Sequence, residues 1–144
     1  MTPNWRRLLG PNVTESTGRK GRLLAVDDNI DSADLIVRVA RNCGYQAQSM
    51  VDLRPLRDVI ASWKPDVLTL DLGMPQEDGI ATIATLKEGG FSGALIVVSG
   101  QDQGLRQAAR RLATALGLRV AGDMQKPVDL KSLRQLLTEL QSAN

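Results

Sequence analysis

The stretch VLTLDLGMPQEDG, residues 67–79, decides the fold. An apolar run with the length of a buried strand ends on an acid, Asp71, and a turn-rich segment with Met74, Pro75 and Gly79 follows. A carboxylate at the mouth of a hydrophobic core is costly unless something compensates it. The surrounding sequence has to supply that compensation.

Working outward, short apolar runs alternate with longer stretches of helical period. The runs are RLLAVD (22–27), a weaker YQAQSM (45–50), VLTLD (67–71), ALIVVS (94–99) and LRVAGDM (118–124). Helical spacing groups Leu35, Ile36, Val39 and Ala40, then Leu56, Val59, Ile60 and Trp63, then Ile80, Ile83 and Ala84. It also groups Leu105, Ala108, Ala109, Leu112 and Leu116, and finally Leu130, Leu133, Leu136, Leu137 and Leu140. Pro55 belongs to an early helical turn, while Asp78 and Asp129 stand where helix caps are needed.

Five βα units predict an α/β fold with a parallel sheet covered on both faces, because each crossover helix returns the chain to the same edge. The near-continuous apolar first, third and fourth runs suit central strands, and the polar second run suits an edge. Ligands of such sheets bind beyond the carboxyl ends of the strands. Chemistry is therefore expected where strands end.

Composition narrows the chemistry. The 144 residues fit one domain of ordinary core size and include no histidine, which removes His-based acid–base catalysis and His metal ligands from this chain. The only cysteine, Cys43, cannot form an intramolecular disulfide and reads as a small buried residue near a helix end, which fits a reducing, cytoplasmic setting. Residues 1–22 carry a net +4 and the remainder −2, so the basic character belongs to the N-terminal segment. Gly10, Pro11 and Asn12 end the apolar run after Arg6-Arg7 before an export signal forms, and no segment has the apolar length of a membrane span. Residues 1–21 read as a basic, partly ordered extension and 22–144 as the domain; Trp5, Leu8 and Leu9 are the extension's candidates for docking.

The strand ends carry Asp27 and Asp28, then Asp71, then Ser99, and Lys126 follows the fifth. Parallel topology brings these positions to one rim. Two unit charges about 4 Å apart repel by roughly 4 kcal/mol at an effective dielectric near 20, so three clustered acids need a cation. Mg²⁺, which takes oxygen ligands and shares phosphate oxygens, is the natural candidate. With Lys126 it brings the rim to formal neutrality and leaves Asp71 available as a nucleophile. Taken singly, each residue has a plainer reading: Asp27 and Asp28 as caps of the following helix, Lys126 as a solvated charge.

The set VDDN (26–29), LDLGMPQEDG (70–79), VVSG (97–100) and QKPVDL (125–130) resembles the CheY-like receiver domain of two-component response regulators, over roughly residues 22–141. The resemblance implies the (βα)5 flavodoxin-like, doubly wound fold with strand order 2-1-3-4-5. It implies that Asp71 is the phosphoacceptor and that Asp28, Asp27, Asp71 and the backbone carbonyl of Gly73 hold Mg²⁺. Ser99 would hydrogen-bond the phosphoryl group, Lys126 would pair with its oxygens, and Pro127 would follow a cis peptide bond. The donor would be a phosphohistidine on a sensor histidine kinase or histidine phosphotransfer protein. The signal would leave through the fourth helix, fifth strand and fifth helix towards a downstream protein or an output domain that the sequence lacks. Beyond its own phosphorylation and dephosphorylation, the chain would catalyse nothing.

This sequence departs from the family pattern at Asp123, where an aromatic switch residue usually stands three positions before the lysine. The 27 residues separating Ser99 from Lys126 predict an extended fourth helix, and residues 106–122 are similar to receivers fused to EAL-type cyclic-di-GMP phosphodiesterases. Gly73 and Gln101 occupy positions that influence dephosphorylation, and Gly73 leaves the acyl phosphate open to water. Arg106, Arg110, Arg111 and Arg119 form a basic cluster with two readings: a solvated helix face, or a surface for a partner or for homodimerisation.

Competing classes fit less well. A haloacid dehalogenase-type enzyme needs an acid two residues after its nucleophile, where this chain has Gly73. A flavodoxin-like electron carrier needs hydroxyl-rich loops and aromatics, which are scarce here. No basic recognition helix or aromatic platform for nucleic acid appears. The remaining alternative is a receiver fold acting as a docking module independent of phosphorylation.

Overall fold

The computed structural model describes residues 21–74, 78–100 and 102–142; the expectations for Trp5, Leu8, Leu9 and Gln101 fall outside them. Five strands, β1 (Arg22–Val26), β2 (Gln46–Met50), β3 (Val67–Asp71), β4 (Ala94–Ser99) and β5 (Arg119–Gln125), alternate with five helices. The helices are α1 (Ile30–Asn42), α2 (Leu56–Trp63), α3 (Gly79–Glu88), α4 (Gln103–Ala115) and α5 (Leu130–Ser142). All strand pairings are parallel, in the order β2-β1-β3-β4-β5.

Every residue of β1, β3 and β4 is buried, as a sheet covered on both faces requires. Alternation sends Leu24, Val26, Leu68, Leu70, Leu95 and Val97 to a layer shared with α2, α3 and α4. Leu23, Ala25, Val67, Ile96 and Val98 meet Ile36, Val39 and Ala40 of α1 and Leu133 and Leu137 of α5 on the other face. Asp78 Oδ1 accepts from the Ile80 amide at 2.9 Å, and Asp129 Oδ1 from the Lys131 amide at 3.2 Å, so both caps stand as the sequence predicts.

Some local expectations need correction. Leu35 is 43% exposed, and Ala108 faces outward while Ala113 joins the core. Pro55 is the N-cap of α2, one position earlier than an in-helix proline, and Cys43 is only half-buried at the C-cap of α1.

The fifth strand contains a feature that its weak polar pattern hides. Val120 lies opposite Leu95 but Gly122 lies opposite Ile96, so Ala121 is an extra residue in the ladder. Because side chains alternate between faces, this bulge turns Asp123, opposite Val97, towards the α4 side. The long interval between Ser99 and Lys126 holds α4, whose 13 residues equal those of α1 and α5 and so do not mark it as specially extended, and the extra residue of the β5 bulge.

Candidate functional site

Register alone brings the strand ends together. Val26 pairs with Leu70, Asp71 with Val98 and Ser99 with Gln125, so Asp27, Asp71, Ser99 and Lys126 emerge at one rim. One carboxylate oxygen from each of Asp27, Asp28 and Asp71 lies within 4.8 Å of the others. Asp27 and Asp71 are buried, at 2% and 5% exposure, while Asp28 is exposed. An all-oxygen set of three carboxylates, two of them desolvated, suits a hard divalent cation.

Lys126 provides the compensation that the protein itself contributes. Its Nζ lies 3.0 Å from Asp71 Oδ2 and 3.1 Å from Asp27 Oδ2. Asp71 Oδ1 accepts from the Gly73 amide at 2.9 Å, and Asp27 Oδ1 accepts from the Asn29 amide at 2.9 Å. Burial pushes the Asp27 carboxyl above its ordinary value and the charge of Asp71 adds to that, while the Asn29 amide and Lys126 pull it down without cancelling the rise. For Lys126, burial is the largest influence and acts to lower the pKa, yet the hydrogen bonds and charges of Asp71 and Asp27 outweigh it, so the net shift is upward. The ammonium is thus held firmly protonated between two acids. The peptide bond from Lys126 to Pro127 is cis, as the resemblance implied.

Capping of α1 falls to Asn29, whose side chain accepts from the Ser32 amide at 3.0 Å. Asp27 instead braces the backbone entering that helix, so the cap reading of the acid pair does not hold. Gly73 is exposed, and a Cβ there would sit 3.4 Å from Asp71 Oδ1. The Asp71 carboxylate is therefore open on that side.

Ser99 is 1% exposed, and its Oγ accepts from Arg106 Nη1 at 3.2 Å. Arg106 Nη1 also donates to the Gly100 carbonyl at 3.0 Å, and Nε lies 3.9 Å from Asp123 Oδ1. Arg110, one turn along α4, donates to Asp123 Oδ2. The four arginines grouped by sequence proximity do not form one cluster. Arg106 and Arg110 share the strand-end carboxylate, whereas Arg119 begins β5 at the opposite end of the sheet and lines a recess there with Lys64, Asp66 and Phe91. The available signal was the four-residue spacing of Arg106 and Arg110, which puts both on one helix face.

The chain matches the response regulator receiver domain family over residues 23–138. It is 31% identical to the response regulator MprA of Mycolicibacterium vanbaalenii over 114 residues, 78% of this chain and 46% of that protein. MprA of Mycobacterium tuberculosis is likewise 31% identical over 114 residues, covering 78% and 46%. The chain thus spans about half the length of the curated relatives it matches. Among solved structures, a response regulator from Colwellia psychrerythraea superposes with a TM-score of 0.76 at 30% identity, covering 86% of this chain and 98% of that one. The signal receiver domain of a response regulator from Bermanella marisrubri gives 0.68 at 27% identity, covering 85% and 98%. Motifs, strand order and acidic rim agree with these matches, and the chain belongs to the response regulator receiver domain family.

Proposed function

We propose that Asp71 accepts a phosphoryl group from a phosphohistidine on a sensor histidine kinase or phosphotransfer protein. Phosphorylation-dependent signalling is the standard role of the family. The observation carrying the residue assignment is the Lys126 ammonium bridging Asp71 and Asp27 beside a third carboxylate. An oxygen of Asp71 attacks phosphorus, the bond from phosphorus to the donor nitrogen breaks, and its electron pair stays on the donor imidazole. Lys126 lies beside the arriving oxygens and offsets their charge, and the Ser99 hydroxyl donates to one of them. Water later takes the phosphoryl group and restores the carboxylate.

Asp27, Asp28, Asp71 and the Gly73 carbonyl would hold Mg²⁺, which when bound neutralises charge on the phosphoryl oxygens. The signalling surface in this reading is the face of α4, β5 and α5, directed at a downstream protein or output domain in the cytoplasm. Residues 22–144 form the receiver, and the basic segment 1–21 is an extension of it. No helix among the described residues is long and apolar enough to cross a membrane.

The test is intact mass after incubation with acetyl phosphate, with and without Mg²⁺, beside Asp71→Asn. A Mg²⁺-dependent adduct lost in the variant is expected. A folded protein that binds Mg²⁺ yet forms no adduct would overturn the reading in favour of a docking module.

A further inference from the structure

The guanidinium of Arg106 occupies a position that the phosphoacceptor chemistry leaves unexplained. Only 12% of its side chain is exposed, although it carries a full charge. Burial of that kind is tolerated when polar partners replace water, and Arg106 has three: the Ser99 hydroxyl, the Gly100 carbonyl and, at longer range, the Asp123 carboxylate. These partners belong to different elements. Ser99 ends β4 at the acidic rim, Asp123 lies in β5, and Arg106 itself stands in the first turns of α4. One side chain thus joins the rim to the seam between α4 and β5.

We propose that Arg106 senses the phosphoryl group, moving with the Ser99 hydroxyl onto phosphoryl oxygens carried by Asp71 and loosening its hold on Asp123. The proposal rests on the assignment of Asp71 as phosphoacceptor. A phosphoryl group brings about two negative charges at neutral pH and several acceptor oxygens, which a guanidinium fits better than a single carboxylate 3.9 Å from its Nε. By accepting from Arg106, the Ser99 oxygen also leaves its own proton free to point at a phosphoryl oxygen. Departure of Arg106 leaves Asp123 paired, because Arg110 already donates to its other oxygen. The second arginine therefore keeps the carboxylate from being stranded, so the first is able to move. The bulge at Ala121 is what aims Asp123 at this pair. Phosphorylation is thus converted to a change in how α4 is tied to β5 by exchange of ionic partners.

The experiment uses the full ¹⁵N-labelled chain with acetyl phosphate and Mg²⁺, reading the mass adduct together with the amide resonances of α4 and β5 and the Arg106 Nε–H resonance. In the natural sequence, adduct formation is expected to move the Arg106 side-chain signal and the amides of Gly122 to Met124. Arg106→Gln is expected to form adduct roughly tenfold more slowly, as loss of a charged hydrogen bond to the phosphoryl group implies, and its β5 response should lose most of its size. Arg106→Lys should recover part of that response, which a purely packing role would not require. Should Arg106→Gln fail to fold, Asp123→Asn cuts the relay at its other end and should form adduct with a diminished β5 response. Full β5 and α4 responses in a phosphorylated Arg106→Gln or Asp123→Asn protein would overturn the proposal, as would an unmoved Arg106 signal in the phosphorylated natural chain. Absence of adduct from the natural chain would overturn the phosphoacceptor reading itself, a result distinct from the others.

Discussion

Lys126→Met removes one charge from between two buried carboxylates while keeping a long apolar stem, and its cost follows from the rim geometry. The ammonium sits 3.0 and 3.1 Å from Asp71 and Asp27. Without it, oxygens within 4.8 Å of one another repel by about 3.5 kcal/mol at an effective dielectric near 20. The protein has an escape, since one carboxylate can take up a proton. Starting from an ordinary value of 3.8, that uptake costs about 5 kcal/mol at pH 7.5, which sets a ceiling on the loss. The expected destabilisation in EDTA at pH 7.5 is therefore about 3–5 kcal/mol, the range found when one partner of a buried pair is removed.

The pH dependence carries the sign. Asp27 already has a raised pKa, so its protonation favours the folded state, and loss of Lys126 raises that pKa further. The variant binds an extra proton when folded, so its deficit relative to the natural sequence shrinks by about 1.4 kcal/mol per unit as pH falls from the variant's further-raised Asp27 pKa to that of the natural folded chain. At pH 5.5 the ceiling is about 2.3 kcal/mol. Lys126 itself has a raised pKa, so its own contribution is complete below its ordinary 10.5 and fades only as pH rises through the raised value. Urea unfolding followed by tryptophan fluorescence, with Trp63 buried at 1% exposure, measures the loss at both pH values and again with Mg²⁺, which should reduce it. A deficit that stays constant between pH 7.5 and 5.5 and ignores Mg²⁺ would refute the electrostatic account and leave packing of the lysine stem.

Other consequences can be checked more briefly. Thr69, 1% exposed in β3, has a hydroxyl with no hydrogen-bond partner, so Thr69→Val should raise stability by about 1 kcal/mol in the same unfolding assay; a loss would mean that the hydroxyl is satisfied in solution. Tyr45, the single tyrosine, donates to the Leu137 carbonyl at 2.7 Å, and burial, aided by Cys43 and Asp66, pushes its pKa up to about 12. Absorbance at 295 nm should thus show tyrosinate in urea near the ordinary 10.0 but later in the folded chain, with stability declining from pH 10 towards 12; coincident curves would contradict this. The open side of Asp71 predicts a short-lived acyl phosphate, and Gly73→Met should lengthen its lifetime several-fold by covering that side. Natural-sequence adduct that persists for many hours with Mg²⁺ present would contradict the openness argument.

The parts legible in the sequence were those set by one-dimensional pattern. Near-continuous apolar runs in β1, β3 and β4 suit a sheet covered on both faces, and parallel connection then brings Asp27, Asp71, Ser99 and Lys126 to one end. The misplacements came from neighbouring residues on helices. Leu35 and Ile36, or Ala108 and Ala109, stand about 100° apart around the axis, and packing against a sheet buried only one of each pair. Apolar identity alone does not choose between them.

The ionic link between α4 and β5 was hidden for a different reason. It depends on Ala121 adding one residue to an edge strand whose residues are mostly half-exposed and show no alternation to betray the slip. Without the bulge, Asp123 would stand opposite Val98 and face α1 and α5, where it would meet the apolar layer instead of Arg106 and Arg110. The two arginines would then be exposed charges on α4, which is how one of the two sequence readings took them. A single extra residue therefore decides whether position 123 is a misplaced acid or the anchor for a buried guanidinium, and whether Ser99 has an ionic line of contact from the acidic rim to the α4–β5 seam.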